Sequence, residues 1–264
     1  PVSGVMATDR TDCNGSWSDF SASGAWSGYA SGWDLRDGAW HWLENGGQLA
    51  RGWRYVNGSW YWMDDSGAMR TGWVSISGSR YHLSASGAMD SGWLLDGGNW
   101  YWLDQSNGDV RTGWQRIGGR WYWTDPETGV CAQNETREIG PELYAFDSSC
   151  AMGQSGWVLA NNTWYWAGQS GALESGWHYV GGSWYWTDQE SKAMATGWAY
   201  DQTENCWYYA TNSSSDGRLL TGWQWIDGAW YWMDSTTAKM QTGWLRVGGK
   251  TYHLSNSGSM DSSC

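Results

Sequence analysis

Hydrophobic and polar positions alternate along this chain in short segments that come in pairs. In the stretch from 52 to 71, two alternating segments rich in aromatic and β-branched residues flank Asn57-Gly58. Such alternation is typical of strands, and Asn-Gly between two strands is the strongest short-range hairpin signal. A polar stretch containing Asp64 and Gly67 then predicts a second turn. Each unit is therefore predicted to be a β-hairpin followed by a loop.

The unit repeats along the whole chain, and its clearest marker is the dipeptide Gly-Trp. Most marker tryptophans follow one another at 20 or 21 residues, but one interval of 43 residues spans a degenerate unit with Glu135 at the expected Trp position. An interval of 25 residues contains an enlarged loop at 211–216. The markers are Trp33, Trp53, Trp73, Trp93, Trp114, Trp157, Trp177, Trp198, Trp223 and Trp244.

A single hairpin is marginally stable, whereas stacked hairpins bury a continuous core. The repeat therefore predicts an all-β fold, a β-solenoid of about a dozen hairpins with 20–21 residues each. Its predicted divisions are a degenerate N-terminal capping repeat at 1–31 and regular repeats at 32–130. A degenerate repeat at 131–155 then precedes regular repeats at 156–264, which end in a truncated unit.

Composition changes the expected core. The chain has 28 Trp, 15 Tyr and only two Phe, so burial is expected through aromatic stacking rather than through an aliphatic core. The net charge of −12 argues against nucleic acid and anionic lipid as partners. No apolar run reaches the length of a membrane span. A start at Pro1 without a signal peptide is typical of a processed secreted protein or an excised fragment.

The aromatic residues have a spacing that suggests binding. Trp60 and Trp62 are expected to share one strand face, with Tyr61 on the other face. The next marker, Trp73, would close a third side. Three aromatic faces around a small space form a cage for a quaternary ammonium group. The same indoles would stack on sugar rings, or would only pack against one another, so three interpretations stay open.

The pattern Thr-Gly-Trp, hairpin turn, Trp-Tyr-aromatic-Leu/Met and Gly-x-Met resembles the choline-binding or cell-wall-binding repeat family over nearly the whole chain. More loosely, it resembles the glucan-binding repeats of streptococcal glucosyltransferases and the oligosaccharide-binding tails of clostridial toxins. The resemblance implies a β-solenoid of hairpins with ligands between consecutive hairpins. Two aromatic residues of each site would come from one strand, and the third from the next marker.

Carried over onto this sequence, the resemblance implies seven sites. The pair Trp121 and Trp123 meets Glu135 instead of an indole, while Arg80 and Thr251 replace a first indole, so choline is not expected at those units. The implied sites are Trp40, Trp42 and Trp53; Trp60, Trp62 and Trp73; Trp100, Trp102 and Trp114; Trp164, Trp166 and Trp177; Trp184, Trp186 and Trp198; Trp207, Tyr209 and Trp223; and Trp230, Trp232 and Trp244.

Other side chains indicate little further chemistry. The four His lack convergent partners in the sequence, and no motif for a nucleophile, a phosphate loop or a zinc site is present, so neither catalysis, a metal nor a cofactor is expected. Cys131 and Cys150 bracket the degenerate unit, where a disulfide would compensate for lost packing. Five cysteines leave at least one unpaired within the chain. Cys13 and Cys264, near opposite ends of the solenoid, would meet if copies associated end to end.

The sequence therefore predicts a non-catalytic, secreted module at the bacterial cell surface. Its expected partner is a cell-wall polymer, either choline-decorated teichoic acid held in cages or a polysaccharide held by stacking. The first alternative is a glucan-binding, lectin-like module. The second is a structural surface protein that assembles end to end into filaments and whose indoles only pack.

Overall fold

Short antiparallel strands make up the regular structure of the computed structural model, which describes residues 9–213 and 216–261. These residues contain no helix, and so none that is long and apolar enough to cross a membrane. The strands are β1 (Thr11–Cys13), β2 (Ser16–Phe20), β3 (Trp26–Tyr29), β4 (Gly32–Arg36), β5 (Ala39–Leu43), β6 (Gly52–Val56), β7 (Ser59–Met63), β8 (Gly72–Ile76), β9 (Ser79–Leu83), β10 (Gly92–Asp96), β11 (Asn99–Leu103), β12 (Gly113–Ile117), β13 (Arg120–Thr124), β14 (Glu135–Ile139), β15 (Glu142–Phe146), β16 (Gly156–Ala160), β17 (Thr163–Ala167), β18 (Leu173–Glu174), β19 (Gly176–Val180), β20 (Ser183–Thr187), β21 (Gly197–Asp201), β22 (Cys206–Ala210), β23 (Gly222–Ile226), β24 (Ala229–Met233), β25 (Gly243–Val247) and β26 (Lys250–Leu254).

From β4 onward, the described strands form eleven hairpins, each an antiparallel pair of five-residue strands. Two-residue turns close ten of these hairpins, and in nine of them both residues adopt positive φ, as at Asn57 (49°) and Gly58 (89°). Asn and Gly tolerate this left-handed region, which matches the twist of the flanking strands. The prediction of an all-β fold made of repeated hairpins is therefore confirmed.

The register places four of the five aromatic residues of hairpin β6–β7 on one face. Trp53 lies opposite Trp62, and Tyr55 lies opposite Trp60, so these four rings share a face. Tyr61 lies on the other face. We call the first the concave face and the second the convex face of each hairpin.

Each loop docks onto the preceding hairpin. The Met69 N–H, in the loop after β7, donates to the Trp40 carbonyl of β5 at 2.7 Å, and the Met89 N–H likewise donates to Trp60 at 2.8 Å. Successive loops also pack on each other: a Cβ added to Gly87 would lie 2.2 Å from the Met69 sulfur. The Gly-x-Met pattern thus encodes the contact between one repeat and the next.

Aliphatic side chains at the ends of the second strands form much of the core. Leu43, Met63, Leu83 and Leu103 are 0–1 % exposed, and each bridges the loop that follows it, as Leu83 bridges Met89. Aromatic rings are buried as well, such as Tyr208 and Trp186 at 1 % and 4 % exposed, so the core is mixed. The expectation of burial through aromatic stacking rather than through an aliphatic core is therefore only partly correct. Buried leucine and methionine side chains lie between loop and strand, whereas many indoles remain half exposed.

The described residues divide into two compact units. The first lies within Pro1–Gly113 together with Thr124–Val130, and the second lies within Trp114–Trp123 together with Cys131–Cys264. In the first unit, the three-stranded sheet β1–β2–β3 precedes the hairpins. In the second, the degenerate hairpin β14–β15 pairs Thr136 with Ala145 and Glu135 with Phe146. Thr136, rather than Glu135 as predicted, therefore occupies the marker position, and Glu135 replaces the glycine before it.

Candidate ligand-binding cages

The concave face of one hairpin and the convex face of the next enclose a small cavity. Trp53 and Trp60 meet nearly at right angles, at 87° and 6.4 Å between ring centroids. Tyr81 of the next hairpin approaches Trp53 at 5.1 Å. The resulting cavity of about 290 Å³, the Trp53 cage, is lined by Trp53, Trp60, Tyr81, Met89, Ser106 and Asn107.

Local structure explains this lining. Period-two alternation puts Trp53 and Trp60 on the concave face of their hairpin. Tyr81 is the central residue of the corresponding triplet in the next hairpin, so it lies on the convex face of that hairpin. The hydrogen bond from the Met89 N–H to the Trp60 carbonyl fixes the methionine beside the rings. Two aromatic residues of one hairpin and a tyrosine of the next therefore recur in the described cages, and a loop methionine joins them in three of the four.

Among its described residues, the second unit contains three further cavities of this kind, with volumes of about 400, 310 and 370 Å³ in chain order. The Trp114 cage is lined by Trp114, Trp121, Tyr144, Met152, Gln154 and Ser170. The Trp177 cage is lined by Trp177, Trp184, Glu204, Tyr208, Thr236, Thr237 and Lys239. The Trp198 cage is lined by Trp198, Trp207, Tyr231, Met240, Asn256 and Ser257.

The two indoles of a triplet have different environments. The first is about half exposed, with 42 % of Trp60 and 45 % of Trp184 accessible to solvent. The third is buried where the packing is tightest, since Trp186 is only 4 % exposed and Trp123 only 8 %. First-position indoles therefore face the cavities, whereas third-position indoles support the ring of the marker tryptophan, as Trp186 does for Trp177 at 5.0 Å.

The grouping of rings differs from the one implied by the family resemblance. Trp60 and Trp62 were grouped with Trp73 of the next hairpin, but both lie against Trp53 of their own hairpin. Trp73 instead contacts His82 and Tyr101. The same arrangement of a marker with the triplet of its own hairpin holds for Trp33 with Trp40 and Trp42, Trp93 with Trp100 and Trp102, Trp177 with Trp184 and Trp186, Trp198 with Trp207 and Tyr209, and Trp223 with Trp230 and Trp232.

The remaining predicted rings follow the same rule. Trp157 contacts Trp166 of its own hairpin at 5.3 Å, and Trp164 lies on the same strand. Trp114 pairs with Trp121, which the sequence grouping excluded, and Trp244 is 70 % exposed beside His253. The structure thus adds Trp121 to the candidate site residues.

Sequence reasoning also missed the central tyrosines. Their convex orientation was predicted, but not that the convex face of one hairpin closes the cage of the hairpin before it. Tyr144 contacts Trp114 at 4.9 Å, and Tyr208 contacts Trp177 at 4.5 Å. The signal in the sequence was the recurring Trp-Tyr-Trp triplet, because its central tyrosine recurs along the chain as regularly as the two indoles beside it.

One cage contains a cation from the chain itself. In hairpin β8–β9, Arg80 takes the position of the first indole, and its guanidinium carbon lies 3.9 Å from the Trp73 ring centroid and 5.5 Å from that of Tyr101. The guanidinium also donates to the Thr128 carbonyl at 2.9 Å. A cation within about 6 Å of an aromatic centroid is attracted by the ring quadrupole. The cage geometry therefore suits a positive charge.

Aspartates hold the loops that frame the cages. Asp64 accepts hydrogen bonds from the Ser66 and Ala68 N–H groups, and the Ser66 hydroxyl holds the pKa of that carboxyl below its ordinary value. Backbone hydrogen bonds from Ser191 and Thr237 lower the pKa of Asp188 and Asp234 in the same way. These carboxylates are therefore ionised and structural at neutral pH.

Cys131 and Cys150 meet between two successive loops. Both thiols are buried and their side chains are hydrogen-bonded, which raises the pKa of Cys131. Cys150 has a φ of +67°, at the loop position where Gly87 and Gly171 stand in other repeats. In those repeats the glycine packs on a methionine of the previous loop, so the two cysteines replace a methionine–glycine contact.

Histidines and acidic residues do not converge elsewhere. Among residues 9–213 and 216–261, no group of three or more His, Cys, Asp or Glu is placed to hold a metal ion. His82 contacts Asp90 at 2.6 Å, and buried His178, whose pKa is lowered by burial, lies 2.9 Å from the Thr187 hydroxyl. These pairs are explained by local packing.

Comparisons with known proteins identify two related repeat families. A family model described as "Choline-binding repeat" matches residues 70–112 and 220–263, and one described as "Putative cell wall binding repeat" matches 52–69, 112–126 and 155–173. Together they match just over half of the chain. No curated protein matches the sequence.

Two solved structures illustrate the likeness. CbpJ from Streptococcus pneumoniae TIGR4 is 25 % identical, with a TM-score of 0.52 over 96 % of this chain and 99 % of that one. The modular autolysin LytC from Streptococcus pneumoniae is 23 % identical, with a TM-score of 0.53 over 89 % of this chain and 53 % of that one. The second likeness is one of fold, and this chain spans about half of that autolysin.

Proposed function

We propose a cell-wall-binding function from one premise: this chain belongs to the family of choline-binding repeats. The proposed ligand is the quaternary ammonium group of choline, held in the Trp53, Trp114, Trp177 and Trp198 cages. The proposed physiological partner is a cell-wall polymer decorated with choline, such as teichoic acid. The proposal places the protein at the cell surface and assigns no reaction to the chain.

The observation that carries the proposal is the position of Arg80. Its guanidinium occupies the cage that Trp73 and Tyr101 form, so the site that lacks one indole contains an internal cation. The other cages present a free indole face in place of that arginine, as at Trp60, which is 42 % exposed. A methylated ammonium there would gain cation–π attraction of about 0.5–2 kcal/mol per favourable ring contact.

Charge and repetition support the same ligand. The net charge of −12 attracts a cationic polymer group and raises its local concentration. One cage of this size binds weakly, but several cages on one polymer gain through effective concentration, by a factor of roughly 10² to 10⁴. Repeated weak sites therefore suit attachment to a repetitive surface polymer.

Polysaccharide binding is the second candidate. It is favoured by exposed rings at the hairpin tips, such as Tyr55, 62 % exposed and 5.2 Å from Trp60, and Trp225, 60 % exposed and 5.3 Å from Trp230. A pyranose ring stacks on such exposed aromatic faces. The nearly perpendicular rings of the cages, in contrast, enclose a compact group rather than a flat one.

Two variants in one strand separate ligand binding from packing. Trp184→Ala removes an exposed cage wall, so we expect loss of one choline site in a calorimetric titration and a stability loss of roughly 1 kcal/mol. Trp186→Ala removes a buried ring, so denaturation should show a loss of about 3–5 kcal/mol. Unchanged choline binding by Trp184→Ala would contradict the cage.

A soluble α-glucan in the same titration tests the second candidate, because saturable heat with glucan but not with choline would replace the first proposal by the second.

A further inference from the structure

Methionines occupy two environments in the described repeats. Met63 and Met233 stand at the ends of second strands, and both are 0 % exposed. Met89 and Met240 lie in loops that follow second strands, and both are partly exposed. A peroxide must touch a thioether sulfur to oxidise it to the sulfoxide. In the folded protein the two loop methionines are therefore open to this reaction, whereas the two strand methionines are protected.

The loop methionines form part of the cage walls. The Met89 N–H donates to the Trp60 carbonyl at 2.8 Å, which holds Met89 at the wall of the Trp53 cage. Met240 lines the Trp198 cage in the same manner. Each thioether therefore borders a solvent-accessible cavity and lies beside aromatic rings.

The next loop closes the other side of each sulfur. A Cβ added to Gly108 would lie 2.4 Å from the Met89 sulfur, and one added to Gly258 would lie 2.3 Å from the Met240 sulfur. At such distances no further atom fits between the two loops. An oxygen bonded to either sulfur must therefore project toward the cavity or push the loops apart, and both changes alter the cage.

The Trp177 cage provides an internal comparison, because its lining contains no methionine among the described residues. Leu219 takes the methionine position there, since its N–H donates to the Trp184 carbonyl at 2.8 Å. This leucine follows the enlarged loop predicted at 211–216, of which 214 and 215 lie outside the described residues. A hydrocarbon side chain has no sulfur to oxidise, so peroxide should leave this cage unchanged.

We propose that Met89 and Met240 are modification sites at which hydrogen peroxide forms methionine sulfoxide, and that the sulfoxides disable the two cages that these residues line. A polar, hydrated group then replaces an apolar wall beside the rings and takes up part of the cavity. The consequence for the ligand rests on the proposed function, whereas the modification itself does not.

The reaction transfers one oxygen atom. A sulfur lone pair attacks one oxygen of hydrogen peroxide, the O–O bond breaks and a sulfur–oxygen bond forms. The proton of the transferred OH group passes to the departing hydroxide, which leaves as water. Sulfur loses two electrons and the peroxide gains them, so no further reactant is required.

Peroxide treatment of the intact, folded chain followed by peptide mapping tests the two sites. Met89 and Met240 should each gain one oxygen atom about tenfold or more faster than Met63 and Met233, because the buried pair reacts only when the structure opens. In denaturant the four residues should react at similar rates. Equal rates in the folded protein would overturn the assignment.

Calorimetric titration with choline before and after treatment tests the effect on the cages. Treatment should remove the sites of the Trp53 and Trp198 cages and spare that of the Trp177 cage, which the additional substitution Trp184→Ala identifies. Methionine sulfoxide reductases for both sulfoxide epimers should restore the lost sites. Oxidation at Met89 and Met240 that leaves choline binding unchanged would overturn the effect on the cages.

Two variants, each compared with its own untreated form, show whether these methionines are responsible. In the double variant Met89→Leu and Met240→Leu, the choline binding present before treatment should survive it, although every cysteine and tryptophan is retained. The matched control Met63→Leu removes a buried methionine and should lose sites on treatment as the unmodified chain does. Equal losses in the double variant and the control would contradict the proposal.

The two levels of the account fail separately. If the untreated chain bound no choline, the proposed function would be overturned. The mapped oxidation rates of Met89 and Met240 would still confirm or refute the two modification sites, because those rates depend on the exposure of the sulfur atoms and not on a ligand.

Discussion

A single arginine shows what a cage accommodates. Arg80 stands where Trp60 stands one repeat earlier, and it places a guanidinium between Trp73 and Tyr101. The side chain both removes a wall and fills the space, so the unit is expected to bind no external cation. This agrees with the sequence-based expectation that the Arg80 unit holds no choline, and it adds the physical reason.

Replacing this arginine should therefore create a site. In Arg80→Trp the cation is removed and the missing wall restored, so calorimetry with choline is expected to show one additional binding site per chain. Arg246→Trp is the matched control, because it adds an indole at an exposed hairpin position. An unchanged number of sites in Arg80→Trp would show that the arginine does not act as an internal ligand.

At the scale of the repeat, the close contact between loops limits which residue can pack against the methionine of the preceding loop. Gly87 has a φ of +82°, and its position leaves no room for a Cβ beside the Met69 sulfur. Gly98, in the turn before β11, has nearly the same φ, +83°, but nothing within 4 Å of an added Cβ. The two glycines therefore separate backbone strain from packing.

Gly87→Ala is expected to destabilise the protein more than Gly98→Ala. Both variants incur a backbone strain of about 1–2 kcal/mol, and Gly87→Ala adds the displacement of Met69. Chemical denaturation of the two variants measures the difference. Equal losses of unfolding free energy would mean that the loop contact does not connect the repeats.

The cysteine pair replaces this contact in the degenerate repeat. Because Cys150 lies at a glycine position and touches Cys131, we expect the two thiols to form a disulfide under oxidising conditions, worth about 2–4 kcal/mol of stability. Peptide mapping with and without reductant detects it, and Cys150→Gly is the control that restores the usual glycine. Identical maps in both conditions would refute the disulfide.

The sequence predicted the hairpins, but it did not predict which residues of the next hairpin contact each hairpin face. Asn57-Gly58 and the alternating triplet determine a hairpin locally, because turn geometry and period-two alternation depend on neighbouring residues alone. The cages depend on how hairpins stack, so the sequence did not show that Tyr81 closes the space beside Trp53 and Trp60. The marker of the degenerate repeat was misplaced by one residue for a related reason, since only strand pairing identifies Thr136.

Across the whole molecule, the repeated loop aspartates couple stability to pH. The pKa values of Asp64, Asp188 and Asp234 are lowered in the folded protein from the ordinary value of 3.8. A group with a lowered folded pKa contributes stability that is present above its unfolded pKa and is lost as pH falls through its folded pKa. Several repeats are affected by the same titration, so the effect accumulates.

Stability is therefore expected to be constant from about pH 7 to pH 5 and to decrease as the pH falls from about 4 to 2. Thermal denaturation across this range measures the change. Repulsion among acidic side chains weakens over the same range and acts in the opposite direction, so a stability that rose steadily with acidification would contradict a structural role for these carboxylates.

Multiple sites on one chain also bear on assembly. The described residues present the Trp53 cage in the first compact unit and the Trp114, Trp177 and Trp198 cages in the second, and such repeated sites are what binding to a repetitive polymer requires. End-to-end association remains a prediction, with Cys264 outside the described residues. The mass of the protein in solution at increasing concentration tests that association separately from ligand binding.

The central claim is that the cages recognise the positive charge of choline rather than its size and shape alone. Choline and its uncharged isostere 3,3-dimethyl-1-butanol have nearly the same size and differ in that charge. In calorimetric titrations of the intact chain, saturable choline binding at several sites, with the isostere roughly tenfold weaker or silent, is the predicted result. Equal binding of the two compounds, or no binding of choline, would contradict the account.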